Sequence, residues 1–211
     1  MLFSDPANSP AETLVTELRD YPQWHRGRQR YGMWVVLPDD PQLLGYIDAA
    51  RRQLADLLHP DTQRQPHLTV FVCGFEAPAC VANDDFSPPQ LQRQIERLAR
   101  VRGPTCTLPL GQPDSFASAA FLPVGDPDGQ LQCWRNTLAD VAHEVRQQPY
   151  LPHITLGLYR RRVSAEVIRQ RLRAIAPPAT PLAVRELHYA TYNARQLFGP
   201  LTCHHRLMLD D

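Results

Sequence analysis

One five-residue pattern occurs twice in this chain of 211 residues: Pro-His-aliphatic-Thr-aliphatic, as PHLTV at 66–70 and PHITL at 152–156. The two histidines, His67 and His153, are 153 − 67 = 86 positions apart. A given histidine meets the whole pattern by chance about once in a thousand times or less, so two matches among eight histidines indicate a duplication. The chain must therefore fold so that one unit is built twice.

The sequence around the two motifs repeats as well. Each motif is preceded by an apolar strand pattern, an Asp-Pro turn and a helical pattern, and the two Asp-Pro pairs, at 40–41 and 126–127, are again 86 positions apart. A second helix follows each motif, and strands close each half. The predicted helices lie within 39–59, 87–101, 119–145 and 164–175, and the predicted strands within 31–38, 67–75, 105–110, 119–145, 153–159, 182–192 and 201–209.

The fold class predicted from this pattern is α+β, with duplicated β-α-β-α-β units. We expect a bilobal domain over 31–211, in which two mainly antiparallel sheets face a central cleft and the helices lie outside. Its two halves cover about 31–112 and 119–209. The length is ordinary for one domain with a substantial core.

Residues 1–30 precede the repeat and are predicted to form a helical appendage. The start of that helix is Ser9-Pro10-Ala11-Glu12, with Ser at the N-cap and Pro at the first helical position. The apolar face of the helix would consist of Leu14, Val15 and Leu18.

Composition excludes several mechanisms and predicts a location. All 22 basic residues are Arg, so no lysine can form a Schiff base, carry a nucleotide or serve a P-loop. Formal net charge is zero, so anion binding must come from local clusters. Five cysteines without a C-x-x-C pair predict reduced thiols in a cytoplasmic protein. No signal peptide and no membrane span are expected from the sequence.

Strand geometry gives the two motifs a shared chemistry. Side chains alternate along a strand, so His67 and Thr69 share one face, as do His153 and Thr155. Two imidazoles and two hydroxyls around one space suit in-line displacement at phosphorus. One neutral imidazole accepts a proton from the attacking oxygen and the other, protonated, donates one to the leaving oxygen. The hydroxyls hold the phosphate oxygens, and neither a metal nor a cofactor is required.

These features resemble the 2H phosphoesterase superfamily, the group of the RNA 2′,3′-cyclic phosphodiesterases once called 2′-5′ RNA ligases. The resemblance covers about 31–209 and rests on HLTV, HITL, the strand and helix before each, and a final hairpin with Gly-Pro before its last strand. It implies an enzyme without metal that opens cyclic phosphates to a 2′-phosphate, and that in some members ligates in reverse. His67 would then be the proton donor, His153 the base for water, and Thr69 and Thr155 the phosphate ligands.

Three further residues are predicted to touch substrate. Many RNA-acting relatives place an Arg soon after the second Thr, whereas this chain reads TLGLYRRR, with Tyr159 on the His153 face and Arg160 after it. A rim position for Tyr159 is weighed against a core position, and Phe71 could stack a base or lie in the core.

The predicted partner is RNA or a nucleotide with a cyclic phosphate. We expect the protein to be a monomer and expect no membrane partner. Two alternatives stay open at this stage. One is a phosphodiesterase for another cyclic or 2′,5′-linked nucleotide, such as ADP-ribose 1″,2″-cyclic phosphate. The other is a non-catalytic protein that binds RNA ends, which two intact histidines argue against because binding needs no acid and base pair.

Overall fold

The computed structural model describes residues 2–60, 63–146 and 149–210. Over these ranges the strands are β1 Arg30–Val36, β2 Leu68–Glu76, β3 Asp85–Phe86, β4 Cys106–Leu108, β5 Asp114–Ser115, β6 Ala119–Pro123, β7 His153–Leu158, β8 Leu182–Val184, β9 Glu186–Asn193 and β10 Thr202–Met208. The helices are α1 Pro22–His25, α2 Pro41–Gln53, α3 Pro88–Val101, α4 Gln130–Ala139 and α5 Ala165–Arg173. Every helix and strand predicted within 31–209 is present.

Eight strands form one sheet in the order β10-β9-β1-β2-β7-β6-β5, with β3 added beside β2, and β4 pairs with β8 separately. All the pairs are antiparallel except β2 with β3. The predicted α+β class is therefore confirmed. The two antiparallel halves, β10-β9-β1-β2 and β7-β6-β5, meet at a single residue pair, Leu68 with Ile154. That pair lies inside the two repeated motifs.

The halves of the sheet do not coincide with the halves of the sequence. Helix α2 follows β1 but packs on β7, and α4 follows β6 but packs on β2. Strand β9 also returns from the second half of the chain to pair with β1. A repeat in sequence predicts which elements exist, but the neighbour of each element depends on long-range packing. The two lobes predicted at 31–112 and 119–209 thus exchange elements.

The aspartate of each Asp-Pro turn binds backbone N–H groups at the start of the helix that follows. The Asp40 carboxylate accepts hydrogen bonds from the backbone N–H groups of Gln42 and Leu43 at the start of α2. The Asp126 carboxylate accepts from Leu131 and Gln132 at the start of α4. These bonds satisfy N–H groups that have no partner within the helix.

The helix predicted to start at Ser9 is wrong. Residues 13–18 are extended, and their backbone N–H groups bind the second half, Thr13 to the Val163 oxygen at 2.9 Å and Leu14 to the Ala117 oxygen at 2.7 Å. The only helix among residues 2–30 is α1. Pairing with existing backbone, together with burial of Phe3, replaces the weak internal bonding of a short helix. Leu14, Val15 and Leu18 are consequently exposed.

Candidate active site

The two motif strands carry the same irregularity at the same place. In β2 the pairing with β1 runs Val35–Thr69 and then Trp34–Phe71, so Val70 is an extra residue. In β7 the pairing with β6 runs Phe121–Thr155 and then Ala120–Gly157, which makes Leu156 the extra residue. An extra residue of this kind is a β-bulge, which bends a strand and reverses the alternation of its side chains. The bulges are 156 − 70 = 86 positions apart, so the duplication extends to backbone geometry.

The contact between β2 and β7 brings both motifs to one place. Leu68 and Ile154 form the pair that joins the strands, and both are fully buried in the core. The residues on either side of them, His67 with Thr69 and His153 with Thr155, are half-buried and face the other way. In an antiparallel register, this pair sets His67 toward Thr155 and Thr69 toward His153.

Each imidazole is held by the backbone in the same manner. Nδ1 of His67 lies 2.8 Å from the Gln65 oxygen, and Nδ1 of His153 lies 2.6 Å from the Leu151 oxygen. A carbonyl oxygen only accepts hydrogen bonds, so Nδ1 must carry the proton. In the neutral ring Nε2 is then an unprotonated acceptor. Within the described ranges no protein group bonds to Nε2 of either ring, which leaves both nitrogens available to substrate.

The surroundings of both histidines shift them toward the neutral form. Burial, together with smaller contributions from the charges of Arg64, His153 and Arg51, lowers the pKa of His67 to about 4 against the opposing bond to Gln65. Burial also lowers the pKa of His153, with a smaller contribution from the Arg146 charge. An anion bound between the rings would favour their charged forms and so oppose these shifts.

Four basic or aromatic residues near the site belong to no motif, and the sequence pattern did not predict them. Arg64 binds the Gly199 and Leu197 oxygens at 2.7 and 2.8 Å beside the first motif. Tyr150, in the segment before the second motif, donates a hydrogen bond from its hydroxyl to the backbone carbonyl oxygen of Thr69 at 2.9 Å. Arg51 and Arg146 complete the set. The only available signal was that Arg64 and Tyr150 stand at equivalent positions of the repeat, 150 − 64 = 86 apart.

Aromatic rings also enclose the second histidine. The ring centroids of Phe116 and Phe121 lie 5.1 and 5.2 Å from that of His153, and both rings meet the imidazole edge-on. The two phenyl rings stack on each other at 4.3 Å. They fix the orientation of the imidazole and exclude water from one side of it.

The prediction that Tyr159 binds substrate is corrected by its position. The bulge at Leu156 shifts the alternation, so Tyr159 joins the core face of β7 instead of the His153 face. Its side chain is 1% exposed, and its hydroxyl is 2.7 Å from that of Ser115. Burial raises its pKa to about 12. The core interpretation, weighed beside the rim interpretation, is the one that the structure supports.

Phe71 is corrected for the same reason. It follows the bulge at Val70 and is 1% exposed in the main core, so its ring cannot stack on a bound base. Arg160 is exposed, and its Nε and Nη2 donate to the backbone carbonyl oxygen of Asp56 at 3.3 and 3.2 Å. Nothing in its described contacts connects it to the motifs, and a substrate role for Arg160 stays a prediction.

Two general properties of the described part of the chain bear on function. No group of three or more His, Cys, Asp or Glu side chains there is placed to hold a metal ion. None of the helices in those ranges combines the length and the apolar character that crossing a bilayer requires.

Comparison with known proteins agrees with this geometry. The model of the 2′-5′ RNA ligase superfamily matches residues 37–196, and the chain belongs to that family of 2H phosphoesterases. Phosphodiesterase or ligase-like chemistry is accordingly the activity class of the chain. No curated protein matches the sequence.

Solved structures share the fold at low identity. Escherichia coli LigT in complex with 3′-AMP is 20% identical, with a TM-score of 0.55 over 87% of this chain and 99% of LigT. A conserved protein of unknown function from Agrobacterium tumefaciens is 16% identical, with a TM-score of 0.59 over 95% of this chain and 97% of its own. Kluyveromyces marxianus Usb1 is 15% identical, with a TM-score of 0.51 over 85% of this chain and 98% of Usb1.

Proposed function

We propose that this protein is a metal-independent phosphodiesterase that opens 2′,3′-cyclic phosphates of RNA ends or nucleotides to a 2′-phosphate. The observation that carries the proposal is the pair of equivalent imidazoles, each with Nδ1 bound to a carbonyl oxygen, at the single meeting point of the two half-sheets. Each leaves an Nε2 free for proton transfer, and a Thr hydroxyl accompanies each. A binding protein would need the hydroxyls but not two rings in matched orientation.

The reaction follows from these groups. Nε2 of His153 takes a proton from a water molecule whose oxygen attacks phosphorus opposite O3′. A P–O bond to the water oxygen forms, the P–O3′ bond breaks, and O3′ receives the proton that His67 carries on Nε2. The 2′-phosphate is left, with His153 protonated and His67 neutral, and exchange with solvent resets both. The hydroxyls of Thr69 and Thr155 donate to the non-bridging oxygens.

The protonated form of His67 that the mechanism needs forms only when substrate binds. Its pKa of about 4 means that the ring is neutral near pH 7 before binding. A cyclic phosphate diester brings one negative charge between the two imidazoles, which favours the protonated form of a neighbouring ring. Proton uptake with binding is therefore part of the proposed mechanism.

Ligands of a protein with the same fold support a phosphate on a ribose as the target. Escherichia coli LigT has been crystallised with 3′-AMP and with phosphate. A 3′-nucleotide has the same base, ribose and phosphate as a 2′,3′-cyclic nucleotide, with the ring opened at the other oxygen.

Turnover of a substrate panel in excess EDTA tests the proposal. We expect hydrolysis of 2′,3′-cyclic nucleotides and of RNA with a 2′,3′-cyclic end, with 2′-phosphate as the product by phosphorus NMR. The control is the double variant His67→Ala/His153→Ala purified in the same way, which measures contaminating nuclease. No turnover above that control, or turnover only with added divalent metal, would overturn the proposal.

A further inference from the structure

A cavity of about 370 Å³ adjoins the second motif strand. It lies between the end of α2 and the edge of β7, and its lining includes Arg51, Arg52, His59 and Leu156. Leu156 is the bulge residue immediately after Thr155. The cavity therefore reaches the backbone of the second motif strand on the α2 side, at a strand edge left free where β2 and β7 diverge, while Thr155 faces the other side of the strand.

Arg51 is the charged group of this cavity that is withdrawn from water. Its side chain is 26% exposed, and its Nε donates to the Leu156 oxygen at 2.9 Å. The nearest carboxylate oxygen in the described ranges belongs to Asp48, which is 3.9 Å from Nη1 and 61% exposed. A cation taken out of water is normally paired, because desolvation without a counter-charge is costly. Arg51 has no close anion, and its two Nη groups form a fork that suits a phosphate.

The charge of Arg51 also reaches the reaction site. It is one of the groups that lower the pKa of His67 on the other motif strand. Burial lowers the pKa of Arg51 itself, as expected for a cation without a close counter-charge. The guanidinium charge thus acts on His67 of the first motif, and its hydrogen bond is to the residue just beyond the second motif.

The remaining polar groups give the cavity a positive balance. Arg52 is exposed at its edge, and Asp48 is the one acidic side chain in the lining. His59 is fixed by its backbone N–H to the Leu158 oxygen at 2.9 Å and by Nε2, 2.7 Å from the Thr16 oxygen. Two guanidiniums against one carboxylate favour an anion as the occupant.

We propose that the Arg51 cavity binds a second phosphate of the substrate, one nucleotide unit away from the cyclic phosphate. This inference rests on the proposed function and narrows its substrate class. Preferred substrates carry a further phosphate, either the internucleotide diester of an RNA end or a 5′-phosphate on a single nucleotide. Cyclic nucleotides with no other phosphate leave the cavity unfilled and are poorer substrates.

Steady-state kinetics on three substrates test this proposal: adenosine 2′,3′-cyclic phosphate, its 5′-phosphorylated form, and the dinucleotide ApA with a 2′,3′-cyclic end. For Arg51→Gln we expect kcat/KM to fall about 10- to 100-fold on the substrates with a second phosphate. On the cyclic nucleoside monophosphate, where Arg51 acts only through the pKa of His67, the loss should be at least 5-fold smaller. Which of the two doubly phosphorylated substrates loses more identifies the source of the second phosphate.

The controls separate charge, shape and folding. Arg97→Gln removes an exposed arginine of α3 that pairs with Asp140, and we expect no effect on any substrate. Arg51→Lys keeps the charge without the fork and should retain part of the preference if Arg51→Gln is poorly folded. Equal losses on all three substrates, or no loss on any, would overturn the proposal.

A binding measurement keeps this test independent of turnover. Fluorescence anisotropy with labelled ApA 3′-phosphate should give a Kd at least 10-fold weaker for Arg51→Gln than for the unaltered protein. If no substrate is hydrolysed but this difference is present, the proposed function fails while the second phosphate site stands. If the Kd is unchanged, the site is wrong whatever the activity.

Discussion

The two motif strands are built alike and surrounded differently. In both, a histidine donates Nδ1–H to a carbonyl two residues earlier, a Thr shares its face, and a bulge follows. Around His67, however, the close charges are those of Arg64 and Arg51, whereas His153 is enclosed by two phenyl rings. Backbone geometry was thus kept in both copies of the repeat, while the electrostatic environment of the two rings diverged.

This difference separates the two imidazoles chemically. Burial is the largest cause of the lowered pKa at both rings, but at His67 the charges of Arg64, His153 and Arg51 lower the pKa further, so a bound anion favours its protonation most. At His153 burial lowers the pKa with a contribution from the Arg146 charge alone, and a ring shifted toward its neutral form suits a base. Duplicated machinery can in this way provide an acid and a base from identical side chains.

The strongest test of the comparison removes each imidazole in turn. We expect His67→Ala and His153→Ala each to lower kcat by at least 10²-fold, because each loses one proton-transfer group. His205→Ala, on β10 at the far edge of the sheet, is the matched control and should keep normal kcat. The measurement is single-turnover hydrolysis of the best cyclic phosphate. Near-normal turnover by either motif variant would show that the two histidines do not act as a pair.

The bulges can be tested through the residues that they redirect. Tyr159→Ala and Phe71→Ala each remove a fully buried ring, and we expect a loss of about 3–5 kcal/mol in unfolding free energy. Tyr159→Phe loses only the bond to Ser115, about 1 kcal/mol. Denaturant unfolding measures these free energies. Steady-state kinetics on the same variants measures KM, which should be unchanged. A raised KM with normal stability for Tyr159→Ala would return this residue to the substrate rim.

The pH dependence of stability distinguishes the two environments. Because the pKa of His67 is about 4 in the folded protein and near 6.5 when unfolded, the unfolded chain binds more protons between these values. Stability should therefore fall as pH decreases from 6.5 toward 4, with about 2 kcal/mol of the loss at pH 4.5 due to His67. We expect His67→Gln to reduce that loss more than His153→Gln. Equal effects of the two variants would contradict the comparison.

These features show which levels of structure the sequence could predict. The periodicity of apolar residues predicted the helices and strands after residue 30 except the two-residue strands β3 and β5, and the repeat predicted that His67 and His153 would meet. Strict alternation along β7 then misplaced Tyr159, because a bulge depends on pairing with β6 and leaves no sign in the strand itself. The exchange of α2 and α4 between halves was missed for a similar reason, since packing partners are chosen at long range.

The same limit explains the failure at the N-terminus and the missed arginines. Ser9-Pro10 is a good helix start, yet backbone bonds to the second half held the segment extended. Arg51 lies 16 positions before His67 with no motif around it, and only folding sets it beside Leu156. Sequence patterns therefore predict structure that neighbouring residues determine. They do not predict a site that is assembled from distant segments of the chain.

The smallest expected effect concerns a hydrogen bond that links the lead-in of one motif to the strand of the other. The Tyr150 hydroxyl donates to the backbone carbonyl oxygen of Thr69, and the centroid of its ring lies 3.6 Å from the central carbon of the Arg135 guanidinium. We expect Tyr150→Phe to cost about 0.5–1.5 kcal/mol of unfolding free energy, because a single neutral bond is lost while the ring keeps its packing. A kcat lowered a few-fold would show that this bond also holds Thr69 in place.

Arg64 occupies the equivalent position in the first lead-in and gives the contrast for Tyr150. Arg64→Gln removes a cation that lowers the pKa of His67, so that pKa should rise, whereas Tyr150→Phe changes no charge and should leave it unaltered. NMR titration of the two imidazoles measures both variants directly. If Tyr150→Phe moved the pKa of His67 as much as Arg64→Gln does, the divergence between the motifs would lie in packing and not in charge.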